Sequence, residues 1–388
     1  MRTLKISLLV FILAITISGQ VPDTLWTKTY GGAESEVGYS VDQTNDGGYI
    51  IAGFTDSFGF GNYDVWLIKT DEWGDTIWTK IYGGELNDVA FTIHQTIEGG
   101  YILSGLTDSF GNGNGDFWLL RTDENGDTLW AKTYGTTARE WCRYSNQTSD
   151  SGFILIGLID SLNFINWDIL LLRTDKYGNT VWTKTYGGEH FETGFGIEQT
   201  SDGGYILVGF TNSYGAGDND VWLIRTNENG DSIWTKTFGG PYSDGGYCVK
   251  QTSDGGYIVA GSTESMGSGR SDIWLLKTNE NGDTLWTNVI GGDENEWPTS
   301  IQQTIDGGYI VSGYTSSFGE GDYDAWLIKT DANGNILWIG TFGGEDLDEA
   351  FSVEQTTDSC YIIVGGTRSF GPDDLWLIKI KSDSIVNV

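Results

Sequence analysis

Apolar and polar positions along the chain fall into short strand-length runs separated by glycine-rich breaks. In the first full copy of the pattern the runs cover roughly residues 37–44, 49–55, 64–70 and 75–82. Their apolar members are β-branched or aromatic, and their lengths suit β-strands. The breaks carry turn chemistry. Asn45-Asp46-Gly47-Gly48 predicts one tight hairpin, and Glu72-Trp73-Gly74 predicts another with glycine free to take a left-handed position. No stretch joins helical periodicity to helical composition. The pattern predicts a four-stranded antiparallel meander.

That meander recurs. Trp26, Trp78, Trp130, Trp182, Trp234, Trp286 and Trp338 are each 52 residues apart. A second series runs Trp66, Trp118, Trp222, Trp274, Trp326 and Trp376, with Leu170 in the third copy. A fixed period of this size means a solenoid, a propeller or an array. Each meander has two apolar faces and open edges. Radial packing against neighbours buries both faces and leaves only short edges. Residues 23–30 match the fourth strand of the other copies, and little chain follows Trp376. The expected fold is all-β: a seven-bladed β-propeller with four antiparallel strands per blade, over residues 22–388, in which the N-terminal strand completes the last blade.

Arg2 and Lys5, followed by an apolar stretch at residues 6–17 and then Ser18 and Gly19, read as a signal peptide over residues 1–19. Twelve residues are too few to span a bilayer. The expected product is a monomer that is secreted, periplasmic or extracellular, with no membrane span after cleavage. Glycine is 57 of 388 residues and the aromatic share is 14%, which excludes disorder as the main state. A net charge of -33 argues against a nucleic-acid duplex or a bare anionic membrane surface as a partner, so no nucleic acid is expected. Cys142, Cys248 and Cys360 make an odd set with no shared phase, so no disulfide framework is expected.

Several polar positions repeat in phase. Gln43, Asp64 and Ser57 each open a series through the copies, and the simplest reading is that they satisfy loop amides. Glu36, Asp88, Glu140, Glu192, Asp244, Glu296 and Asp348 form an all-acidic series just before the predicted inner strand. They are expected at one mouth of the central channel. Two roles fit them there: caps for turn amides, or a Ca²⁺ site relieving their mutual repulsion.

The third copy departs from the repeat. It places Arg139, Trp141 and Arg143 where the other copies have no basic residue, and adds Trp167. Trp297 shares the phase of Trp141, and His190 and Tyr242 share a loop phase with each other. All lie in connections that open on one face of a propeller. Aromatic and arginine side chains around a concave mouth suit a glycan or a protein segment. The two histidines, His94 and His190, make no zinc site with scattered cysteines, and no nucleophile elbow, P-loop or dinucleotide fingerprint occurs.

The segments LLRTDENGDTLWAKTYG and LLKTNENGDTLWTNVIGG resemble the tryptophan-docking repeats of quinoprotein-like β-propellers, through Asp123, Gly126 and Trp130. Residues 251–286 more closely resemble a group of exported bacterial and archaeal repeat proteins, some of which carry endoglucanase-like names. The resemblance covers essentially residues 22–388 and implies the propeller. Quinone-dependent dehydrogenases commonly have eight blades, a cofactor over the ring and a calcium ion; seven copies and no adjacent cysteine pair set this chain apart from them. The expectation is a binding scaffold rather than an enzyme, taking protein or glycan at the channel mouth. An extracellular glycoside hydrolase and a structural envelope protein are the alternatives.

Overall fold

The computed structural model describes residues 21–113, 115–160 and 166–381. The predicted signal peptide lies outside the described residues. Among the described residues, twenty-eight strands form seven four-stranded sheets. After β1 (Thr24–Tyr30), the first blade comprises β2 (Glu36–Gln43), β3 (Tyr49–Thr55), β4 (Asp64–Thr70) and β5 (Thr76–Tyr82), all antiparallel neighbours. Blades 2 to 6 repeat this order, and blade 7 supplies Asp348–Gln355, Tyr361–Thr367 and Asp374–Ile380. The ring closes through β1, which pairs with Asp374–Ile380 in the register Trp26↔Lys379 and Tyr30↔Leu375. Trp376 Nε1 donates to Thr27 Oγ1 across that seam at 2.5 Å. Among the described residues no helix is long and apolar enough to cross a membrane.

No blade owns its core. One apolar cluster combines Ile50, Ala52, Val65 and Leu67 of blade 1 with Ile93, Tyr101, Leu103 and Trp118 of blade 2. Another joins Ile362, Val364, Leu375 and Leu377 of blade 7 to Tyr49, Ile51 and Trp66 of blade 1. The two middle strands of blade 1 are buried along their whole length, whereas its outer strand is mostly exposed or half-buried. This is why β3 and β4 read as nearly continuous apolar runs.

The repeating tryptophan and the Asp-Gly hairpin are two halves of one joint. Trp182, on the outer strand of blade 3, packs its ring on Tyr205 of blade 4 with centroids 5.9 Å apart. Gly230, in the hairpin of blade 4, lies against the same indole; a Cβ there would meet Trp182 at 2.9 Å. Gly230 also has φ +75°, a backbone conformation that L side chains rarely adopt. Lys184 adds an ion pair to Asp231 at 2.8 Å, and the Tyr186 hydroxyl donates to the Gly230 carbonyl. The seam repeats the arrangement: Trp26 packs on Tyr49, and Tyr30 Oη donates to Gly74 O at 2.5 Å.

The invariant glutamine forms a second circular joint. Gln95 Oε1 accepts from Asn45 N of the preceding blade at 2.8 Å, and the other blades do likewise. The last link, Thr357 N to Gln43 Oε1 at 2.8 Å, crosses the seam. The serine and aspartate series also satisfy loop amides: Ser57 Oγ accepts from Glu34 N, and Asp64 Oδ2 accepts from Phe60 N and Gly61 N.

Gly230 and Gly203 of blade 4 separate docking from backbone strain. Gly203 has φ +88° with nothing within 4 Å of an added Cβ. Gly203→Ala should cost about 1–2 kcal/mol, the penalty for a left-handed L-residue. Gly230→Ala should cost a further 1–3 kcal/mol, roughly the price of overpacking against the indole. Denaturant unfolding followed by tryptophan fluorescence measures both, and equal losses would disprove the docking role.

Candidate functional site

The inner strands line a central channel with a cavity of about 910 Å³. Each inner strand carries a register shift after its third residue, between Gly38 and Ser40 in β2 and at the same phase in the other blades. Such a bulge breaks strict alternation and re-aims the extra residue. That residue is Tyr39, Phe91, Arg143, Phe195, Tyr247, Thr299 or Phe351, and all seven line the cavity. The result is a collar of aromatic rings interrupted by one arginine and one threonine. Tyr39 lies 5.2 Å from Phe91 and 5.0 Å from Phe351, and Phe195 lies 5.0 Å from Tyr247. Burial pushes the Tyr39 hydroxyl up to about 12.

Toward the 4–1 and 2–3 connections the cavity is walled by Arg139, Trp141, Trp297, Tyr63, Tyr314, Asn87 and Asp108. Arg139 and Arg143 both stack on Trp141, with guanidinium carbons 5.0 and 4.3 Å from the ring centroid. Arg143 also lies 5.3 Å from the Phe195 ring. Burial, with a contribution from Arg139, lowers the Arg143 pKa. Trp297 packs against Tyr314 and Tyr323.

The structure thus gathers four of the expected mouth residues, Arg139, Trp141, Arg143 and Trp297, around one cavity. The other three stand apart from it. Trp167 packs on Phe191 at 5.7 Å, while His190 and Tyr242 are exposed on loops whose amides bond Ser213 and Ser265. The acidic series lies elsewhere than expected. Glu36, Asp88, Glu140, Glu192, Asp244, Glu296 and Asp348 are wholly buried inside the blade tops and do not line the channel. Glu36 shows the reason: its carboxylate accepts from Gly32 N at 2.8 Å, Thr55 Oγ1 at 2.8 Å and Ser57 N at 3.1 Å. It fastens two loops of its own blade, which draws it away from the channel. Among the described residues no three His, Cys, Asp or Glu side chains gather as a metal site.

Near the other end of the inner strands, Asp42, His94, Lys250, Gln302 and Glu354 line the cavity as a polar collar, with Asn146 and Glu198 at the same strand position in the remaining two blades. Most of its members fasten the next blade: Asp42 Oδ2 accepts from Gln95 N at 2.7 Å, and Glu354 Oε2 accepts from Gln43 N at 2.8 Å. Lys250 reaches Tyr144 Oη at 3.5 Å and Glu198 at 3.9 Å. His94 Nε2 bonds Ser145 O at 3.1 Å, and burial lowers its pKa against the pull of Asp42. Burial, then the charge of Asp42, raises Glu354 to about 7. Cys142 and Cys248 are pushed up to about 12 by burial and stay protonated thiols at neutral pH. Apart from Arg143, the two collars escaped the sequence reading, which weighed positions that repeat and the departures of the third copy. Their signal is the opposite: inner-strand positions that vary in charge and size beside the constant Gln43 series.

No protein-family model matches the chain. An alignment 178 residues long, covering 39% of the chain, shows 24% identity to the regulatory protein FlaEY of Caulobacter vibrioides. The match spans only 18% of that protein's length. Among solved structures, BBS1N in its complex with ARL6DN has a TM-score of 0.54 at 11% identity, covering 94% of this chain and 98% of that one. The Pan2 WD40 domain of Neurospora crassa has a TM-score of 0.53 at 8% identity, covering 89% of each chain. Puromycin hydrolase has a TM-score of 0.57 at 12% identity, covering 86% of this chain and 51% of that one. At such identities the likeness shows the propeller fold alone.

The folded protein holds the Glu354 proton more tightly than the unfolded chain does. The resulting stability is full below the ordinary value of 4.5 and is lost as pH rises through about 7. Glu354→Gln should therefore raise stability at pH 8 relative to the parent, by on the order of 1–3 kcal/mol, and leave it nearly unchanged at pH 4.5. Calorimetric melting across this range checks it; parallel curves for the two proteins would contradict it.

Proposed function

We propose that this chain is an exported binding module that takes a glycan into the mouth of its central channel. The observation that carries this reading is the recessed chamber walled by Trp141, Trp297, Tyr39 and Tyr314, on the face where the third blade breaks the repeat. The channel cavity to which it belongs has a volume in the range of small-ligand sites. Trp141 and Trp297 are half-buried within it, where they meet a chain end that enters more readily than a flat protein surface. Tyrosine hydroxyls and the Asn87 amide supply polar edges for sugar hydroxyls beside the aromatic faces. Export rests on the charged and apolar segment over residues 1–19.

A second reading, hydrolysis of the bound glycan, has one observation in its favour. Asp42 and Glu354 line the far end of the same cavity, where only a glycan threaded past the chamber would reach them, and their interaction, after burial, helps to hold Glu354 at about 7, a value suited to proton transfer at neutral pH.

Titration of the full chain against a glycan array, followed by calorimetry on the hits, tests both readings. Trp141→Ala and Trp297→Ala should each weaken binding by about tenfold or more, a loss of about 1.4 kcal/mol, with the circular dichroism spectrum unchanged. Undiminished binding by both variants would refute the chamber as the site. Release of reducing ends that stops in Glu354→Gln while binding persists would establish hydrolysis.

A further inference from the structure

We infer that the glycan is acidic, and that its carboxylate is held by Arg139 and Arg143. This rests on the chamber being the ligand site. The chain has 54 acidic residues and 21 basic ones, so a basic side chain without an acidic neighbour stands out. Among the described residues fourteen basic side chains form ion pairs. Among the other described ones, Arg121 bonds the Tyr101 carbonyl and Thr96 Oγ1, Lys132 bonds Asn179, and Lys176 is exposed beside Tyr177. Arg139 and Arg143 are different. Both line the cavity, neither forms an ion pair among the described residues, and the Nε of each is buried without a hydrogen-bond partner. Asp108 lines the same end of the cavity and pairs with neither.

The unsatisfied groups have a pattern. Three buried donors on blade 3 lack acceptors: Arg139 Nε, Trp141 Nε1 and Arg143 Nε. One buried acceptor on blade 2 that also lines the cavity, Asn87 Oδ1, lacks a donor. Buried polar groups without partners are costly, and guanidinium groups match the planar fork of a carboxylate. A ligand that satisfies this set brings a carboxylate to blade 3 and a hydroxyl to Asn87, which a uronic acid does. Arg143 also occupies a collar position that is aromatic in five other blades. An aromatic residue there would keep the packing and lose the charge.

The test is calorimetry on the full chain with oligogalacturonate and oligoglucuronate, each paired with its neutral methyl ester. An acid that binds at least tenfold tighter than its ester, with the preference abolished in Arg139→Gln/Arg143→Gln and retained in Arg143→Lys, would support the inference. Trp297→Ala should weaken acid and ester alike. Equal binding of acid and ester, or an acid preference that survives the double arginine variant, would overturn the carboxylate assignment and leave the chamber reading intact. Binding only of an acetylated peptide with a free C-terminal carboxylate would overturn the saccharide. If no glycan on the array binds, the chamber reading itself fails, and the inference with it. Near-ultraviolet circular dichroism separates loss of binding from loss of fold.

Discussion

A sheet with two apolar faces has no stable life alone in water, and the architecture follows from that constraint. Each blade lends one face to the blade before it and the other to the blade after it, so the seven apolar clusters are shared property. Removing exposed apolar area is the main favourable contribution to folding. Here it is complete only once the last blade meets the first, which makes the seam beside β1 as important as any interface within the ring. The indole, the hairpin glycine and the tyrosine hydroxyl of each joint then fix the angle at which neighbours meet. The Gln43 series fixes the same geometry nearer the axis.

Repetition divides the labour between positions. Residues that recur in phase hold the ring: the tryptophans, the hairpin glycines, the glutamines, and the carboxylates buried in the blade tops. Residues that differ between blades sit at the axis, where the seven inner strands converge and each contributes to one shared channel. A bulge at the same phase of every inner strand presents these variable side chains to the cavity. The scaffold is thereby decoupled from the chemistry it displays.

The fold was legible in the sequence because the repeat reports it many times over. Seven tryptophans at one spacing, and a leading strand lacking its own blade, were enough to specify closure. Boundaries were less legible. The inner strand of blade 1 starts at Glu36 rather than residue 37, because the carboxylate that fastens the loops is already part of the strand. The same oversight put the acidic series at the channel mouth. Spacing gives a residue's height along the ring, but the choice between facing the axis and turning into the blade depends on loop amides distant in sequence. Arg139, Trp141, Arg143 and Trp297 were legible because they break a pattern. Tyr39, Tyr314 and Asn87 look ordinary in the sequence and acquire meaning only when the ring brings them beside those four.

Closure by β1 has a consequence for biosynthesis. β1 pairs with a strand that follows it by about 350 residues and is synthesised after every other blade of the ring. No early blade can complete the circle, so this edge must wait, unpaired, until the final hydrogen-bonding partner has been synthesised. Contacts separated so widely along the chain slow folding, because loop closure must precede the gain from burial. The ribbon that seals the ring is also the one for which shielding by a chaperone before closure would matter most.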